Sequence, residues 1–122
     1  MSKSTILIVE DDPVARFVAQ KQVSKLSDCN VHAVSTGEAA VEVFPDALVL
    51  IFMDIGLPGI DGYTAVCRIR EKARQEGCEH VPIVALTGHG DRKRCLNMGM
   101  DDYLQKPAML DDIQQMLEKY LP

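Results

Sequence analysis

The chain has 122 residues, of which 47% are apolar and 25% charged, and a formal net charge of −5. That length suits one domain, residues 1–122, burying about two-thirds of its unfolded surface, and the acidic balance speaks against direct nucleic-acid binding, because excess carboxylate repels phosphate. No apolar run reaches the ~20 residues of a bilayer span, and the opening "MSKSTILIVEDD" lacks a signal peptide's long apolar core, so a cytoplasmic protein with no membrane partner is expected.

The first apolar run, "TILIV" (5–9), leads into Glu10, Asp11, Asp12 and Pro13. An Asp followed by Pro at the first helical position is a good helix start, so capping is one job open to Asp11 and Asp12. The helix predicted over 13–27 carries Ala15, Val18, Ala19, Val23 and Leu26 on one side at 3.6-residue spacing, a stripe expected to face the sheet. Phe17 lies about half a turn away and Val14 toward the margin. Further strands are expected at "VHAV" (31–34), "LVLIFM" (48–53), "PIVAL" (82–86) and "DYL" (102–104), alternating with helices near 37–44, 62–76, 91–98 and 109–120. Short runs that are apolar almost throughout belong to strands covered on both faces. The pattern therefore predicts an α/β fold: a five-stranded, doubly wound parallel sheet with five helices and right-handed crossovers.

Four cysteines (Cys29, Cys67, Cys78, Cys95) form no C-x-x-C pair, and the three histidines do not take H-E-x-x-H spacing. Neither set predicts a zinc site, and the thiols read as small packing residues.

In an open α/β sheet, ligands bind beyond the carboxyl ends of the strands. The polar residues expected there are Glu10, Asp11 and Asp12 after the first strand, Asp54 after the third, Thr87 after the fourth and Lys106 after the fifth. Three carboxylates ~5 Å apart repel by roughly 3 kcal/mol per pair at an effective dielectric of ~20. A hard divalent cation such as Mg²⁺ offsets that repulsion, taking carboxylates, waters and a phosphate oxygen, and a lysine adds a second positive charge. A carboxylate in such a setting can accept a phosphoryl group as an aspartyl phosphate.

The segments "ILIVEDD", "IFMDIGLPGIDGY", "VPIVALTG" and "GMDDYLQKP" occur in this order and together resemble the receiver domain of two-component response regulators over essentially the whole chain. The resemblance implies a flavodoxin-like sheet of order 2-1-3-4-5. It implies Asp54 as phosphoacceptor, Asp12 as a direct Mg²⁺ ligand, Asp11 as a ligand through water, the Gly56 carbonyl as a further ligand, and Thr87 and Lys106 as phosphoryl-binding groups. It assigns no role to Glu10. It implies a cis peptide at Lys106–Pro107, a switch in which Thr87 moves toward the phosphate while Tyr103 swings inward, and catalysis limited to the domain's own phosphorylation and dephosphorylation. Partners implied are a histidine kinase or a histidine phosphotransfer domain, with Val14, Phe17 and Lys21 of the first helix as docking candidates; the wording of the motifs is closest to receivers fused to hybrid histidine kinases, and a monomer or weak dimer is expected.

One departure is that the stretch from Thr87 to Lys106 is shorter than usual for such domains. The loss falls in "GHGD" (88–91), where Gly88 and Gly90 make the loop pliable, so a short fourth helix is expected. His89, two residues beyond Thr87, stands where a side chain can hinder or guide an attacking water. Three other readings fit the residues less well. A haloacid-dehalogenase-like phosphatase needs an acid where Gly56 stands. A flavodoxin-like FMN binder would find "EDDP" repelling its phosphate. A phosphorylation-independent docking module would have no need of the intact Asp, Thr and Lys set.

Overall fold

The computed structural model describes residues 4–43, 48–77, 80–88 and 92–121. The elements alternate strictly: β1 (Thr5–Val9), α1 (Pro13–Leu26), β2 (Asn30–Val34), α2 (Gly37–Glu42), β3 (Leu48–Asp54), α3 (Gly62–Gln75), β4 (Ile83–Thr87), α4 (Arg92–Asn97), β5 (Asp102–Gln105) and α5 (Leu110–Tyr120). The strands form one parallel sheet in the order β2-β1-β3-β4-β5. The fourth helix is short, six residues, as its spacing predicts. Residues 89–91, and with them His89 and most of the shortened loop, lie outside the described residues, as does Cys78.

Strand side chains alternate between the two faces and so build two cores. Leu7, Val9, Ile51, Met53, Ile83 and Ala85 meet Tyr63, Val66 and Ile69 of α3 and Cys95 of α4. Ile6, Ile8, Leu50, Phe52, Val84 and Leu86 meet Val23 of α1 and Ile113 and Leu117 of α5. The central β3 is buried along nearly its whole length, whereas the edge strand β2 is only partly covered. No described helix is long and apolar enough to cross a membrane.

The predicted stripe on α1 holds only in part. Val23 is fully buried and Ala19 and Leu26 pack against the core, but Val18 is 46% exposed. The reason is that α5 begins beyond Ala108 and leaves the first turns of α1 facing an open groove instead of a neighbour. That groove, about 480 Å³, is lined by Val14, Ala15, Val18, Gln22, Pro107 and Ala108 among others.

At the amino ends of β4 and β5, Asp101 and Asp102 act as anchors. Asp101 pairs with Arg70 of α3 at 2.8 Å and with His80 at 2.8 Å, and accepts from the Ile83 N–H. Asp102, 6% exposed, accepts from Lys119 Nζ at 2.8 Å, the Tyr120 hydroxyl at 2.9 Å and the Tyr103 N–H at 2.9 Å, which ties α5 to β5. Burial alone would raise its pKa, but these three donors outweigh burial and hold it below the ordinary 3.8.

Asp102→Asn should therefore cost about 1–3 kcal/mol at neutral pH, because it replaces a buried, charge-assisted acceptor and leaves its donors poorly matched. With the folded pKa depressed, the carboxylate's contribution is complete above its unfolded pKa and fades as pH falls through the folded value. Denaturant titrations should show the gap between wild type and Asp102→Asn at pH 7 narrowing in acid below about pH 4.

Candidate functional site

The parallel register decides which strand ends stand together. Val9 pairs with Met53, so Glu10 emerges beside Asp54. Asp54 pairs with Leu86, which sets Thr87 one step beyond, and Thr87 in turn pairs with Gln105, the residue before Lys106. By alternation Glu10 continues the face of Ile6 and Ile8, and Asp54 that of Leu50 and Phe52. The two carboxylates thus rise on the same side of the sheet edge.

The side chains converge accordingly. Carboxylate oxygens of Glu10, Asp11 and Asp54 all lie within 4.8 Å of one another. Glu10 and Asp54 are 2% and 4% exposed. Lys106 reaches between them, its Nζ 2.6 Å from Glu10 Oε1 and 3.1 Å from Asp54 Oδ2. Burial pushes the Glu10 carboxyl up, and the neighbouring Asp54 adds to that against the pull of Lys106 and the Asp12 N–H. Burial also disfavours an ionised Asp54, but bonds from Glu10, Lys106 and the Gly56 N–H outweigh it and hold its pKa down. The two carboxyls are thus shifted in opposite directions under the same burial and the same lysine. For Lys106, burial works against the charge, while Glu10 and Asp54 more than compensate and hold the ammonium above the usual lysine range.

Local structure explains these positions. After Val9 the chain turns sharply into α1, and Arg16 donates from Nη1 to the carbonyls of Glu10 at 3.0 Å and Asp11 at 3.3 Å, which holds the turn in place. After β3, the Gly56 N–H donates to Asp54 Oδ1 at 3.0 Å and the Gly62 N–H to the Ile55 carbonyl at 3.0 Å. A Cβ at Gly62 would lie 2.5 Å from the Asp54 carbonyl oxygen, so only glycine lets α3 start this close to the acid. Gly59 takes φ +74°, the left-handed conformation the turn demands. The Lys106–Pro107 peptide is cis, as the motif implies.

Two assignments from the sequence change. Asp12 does not join the carboxylate cluster: it is the N-cap of α1, its Oδ2 accepting from the Ala15 N–H at 2.8 Å. Glu10, which the motif comparison left without a role, takes the inner position. Pro13 is the cause, since it starts the helix and commits the preceding side chain to the cap. The period-two run Ile6, Ile8, Glu10 was the signal that could have found it. The structure also brings in Tyr63 and Arg94, which the sequence did not single out; both line the cleft of about 560 Å³ that holds Asp11, Asp54, Thr87 and Lys106.

Thr87, 7% exposed, closes the cleft on the β4 side. Tyr103 is partly buried against the core beneath α3 and α4, on the same face as Ala85 with which it pairs. Of the docking candidates, Val14 is 71% and Phe17 58% exposed, and Lys21 Nζ sits 5.4 Å above the Phe17 ring.

The cleft offers hard oxygen donors from three carboxylates at bonding separation, with one ammonium against them. That donor set fits Mg²⁺: Glu10, Asp11 and Asp54 would hold it.

Comparison with known proteins agrees with this geometry. The chain is 41% identical over 95% of its length to hybrid signal transduction histidine kinase B of Dictyostelium discoideum, covering 6% of that protein. It is 35% identical over 94% of its length to the sensor protein GacS of Pseudomonas syringae pv. syringae, covering 13% of it. The chain thus spans a small fraction of these curated relatives. Among solved structures, the receiver domain of the sensor histidine kinase PA1611 from Pseudomonas aeruginosa, with magnesium in its active-site cleft, superimposes with a TM-score of 0.83 at 36% identity, covering 98% of both chains. A chain from the complex of the Saccharomyces cerevisiae histidine phosphotransfer protein Ypd1 with the receiver domain of Ssk1 gives a TM-score of 0.87 at 30% identity, covering 98% of this chain and 89% of that one. The family model of the response regulator receiver domain matches residues 6–118, and the chain belongs to that family.

Proposed function

We propose that the protein accepts a phosphoryl group on Asp54 from a phosphohistidine donor, in a Mg²⁺-dependent step, and relays that event through a change of protein-binding surface. The observation that carries this reading is the Glu10–Lys106–Asp54 arrangement beside Asp11, which gathers two buried carboxylates and an ammonium at the foot of an open cleft.

In the transfer, Asp54 Oδ attacks phosphorus. A P–O bond forms as the P–N bond to the donor imidazole breaks, and the imidazole nitrogen takes up a proton as it leaves. Mg²⁺, when bound, supplies charge neutralisation at the phosphoryl oxygens. Lys106 already lies against Asp54 and is poised to follow the new negative charge outward. The Thr87 hydroxyl closes on a further oxygen. Thr87 belongs to the face that carries Ala85 and Tyr103, so its displacement opens room toward which the Tyr103 ring can move. Attack by water on phosphorus later releases phosphate and restores Asp54.

For partners, the reading names a histidine kinase or histidine phosphotransfer domain. The groove lined by Val14, Val18, Pro107 and Ala108 also contains Glu10 and Lys106, so an apolar surface runs directly into the acid cleft. A helical donor seated on Val14 and Phe17 would present its phosphohistidine there.

Incubation with acetyl phosphate and Mg²⁺ should add one phosphoryl group by intact mass to wild type and none to Asp54→Asn, and chelation should abolish the gain; labelling of Asp54→Asn at the wild-type rate would refute the assignment. The metal ligands are separable as well. Asp11→Asn should weaken Mg²⁺ binding by at least about tenfold, or 1.4 kcal/mol, whereas Asp12→Ala should cost about 1 kcal/mol of stability through the lost cap and leave Mg²⁺ affinity nearly unchanged. Isothermal titration with thermal melts reads both. Phe17→Ala should slow transfer from a cognate phosphohistidine donor while leaving labelling by acetyl phosphate intact, and equal loss of both would overturn the docking surface.

A further inference from the structure

The turn between β1 and α1 carries two of the three clustered carboxylates, Glu10 and Asp11. Hydrogen bonds knit its backbone. The Glu10 N–H donates to the Val34 carbonyl at 3.0 Å, and the Asp12 N–H to Glu10 Oε2 at 3.2 Å. The two carbonyls of the turn are met from α1: Arg16 Nη1 donates to that of Glu10 at 3.0 Å and to that of Asp11 at 3.3 Å. The Arg16 N–H bonds the Asp12 carbonyl at 2.9 Å, so the guanidinium springs from a fixed point on the helix. Arg16 is half-buried, whereas Asp11 is exposed. An exposed acid is kept in a cluster largely by its backbone, and a charged donor bridging two carbonyls is a strong way to fix that backbone.

We propose that Arg16 is a positioning residue for the metal site: by bridging the Glu10 and Asp11 carbonyls, its guanidinium sets the placement of the two carboxylates and with it the affinity for Mg²⁺. The inference rests on the reading of Glu10, Asp11 and Asp54 as the Mg²⁺ ligands. Groups that orient metal ligands without touching the ion typically change metal affinity by about 10–100-fold. The two roles open to Arg16 differ in sign. As a mere cation beside an acid cluster it would repel a dication, and its removal would tighten binding. As a clamp it holds the ligands in place, and its removal loosens binding. The geometry favours the clamp, because both contacts with the turn go to backbone carbonyls and leave the carboxylates to the ion.

Isothermal titration with Mg²⁺ on wild type, Arg16→Ala and Arg16→Lys reads that sign, with thermal melts in chelator showing that each variant is folded at the titration temperature. Arg16→Ala should bind Mg²⁺ about tenfold more weakly than wild type. Arg16→Lys keeps the charge without the planar fork and should fall between the two, about threefold below wild type. Arg16→Ala binding Mg²⁺ as tightly as wild type, or more tightly, overturns the proposal, and so does a lowered melting temperature with the affinity unchanged. If Arg16→Ala does not fold, Arg16→Lys decides alone, and an affinity equal to wild type overturns the clamp. A wild type that takes up no Mg²⁺ at all removes the metal reading and this proposal with it. A wild type that binds Mg²⁺ and gains its phosphoryl group, beside an Arg16→Ala of undiminished affinity, removes the clamp only.

Discussion

The ammonium of Lys106, wedged between Glu10 and Asp54, is the contact on which the site depends. Two carboxylates that are almost entirely buried repel each other strongly in a medium far less polarisable than water, and neither could remain there ionised without a countercharge. Lys106 reaches them from the far side of the sheet's midline, from the loop after β5, so the cluster exists only when β5 is paired correctly beside β4. The charge balance remains negative, with Asp11 at the open side. Such a surplus of negative charge is one that a divalent cation could offset.

The two faces of the sheet divide the work around this point. Toward α1 and α5 lies an apolar groove whose floor is Phe52 and Leu86 and whose inner end is Glu10 and Lys106. Toward α3 and α4 lie Thr87 and Tyr63 at the cleft and Tyr103 against the core. Asp54 stands between them at the end of the most buried strand, which gives it a rigid base. On the proposed reading, Asp54 would accept its group between a docking face and a responsive face, an arrangement suited to a relay component.

Acidic residues at the other end of the sheet show that placement, not residue type, sets the role. Asp102 is buried and Asp101 half-buried, and each is met by donors from α3, α5 or the backbone. Their charges are satisfied within the protein, so they hold helices to strands. At the carboxyl ends the acids outnumber their cations, and the surplus is available for chemistry.

Much of this was legible in the amino-acid order. The alternation of short apolar runs with amphipathic stretches predicted every strand and helix to within one or two residues among those described, because burial on both faces of a parallel sheet leaves a distinctive pattern. The placement of Asp54, Thr87 and Lys106 after their strands followed from the same pattern. Three things did not. The swap between Glu10 and Asp12 turned on which carboxylate the helix start consumes, and adjacent acids look alike until the backbone direction at Pro13 is known. The exposure of Val18 depended on where α5 begins, a fact about a neighbour distant in sequence. Arg94 lies over the Tyr63 ring at the cleft, an encounter between residues 31 positions apart. The order of residues determined periodicity, and periodicity is local; the site is a set of contacts between strand ends, and only the register of the folded sheet could decide those.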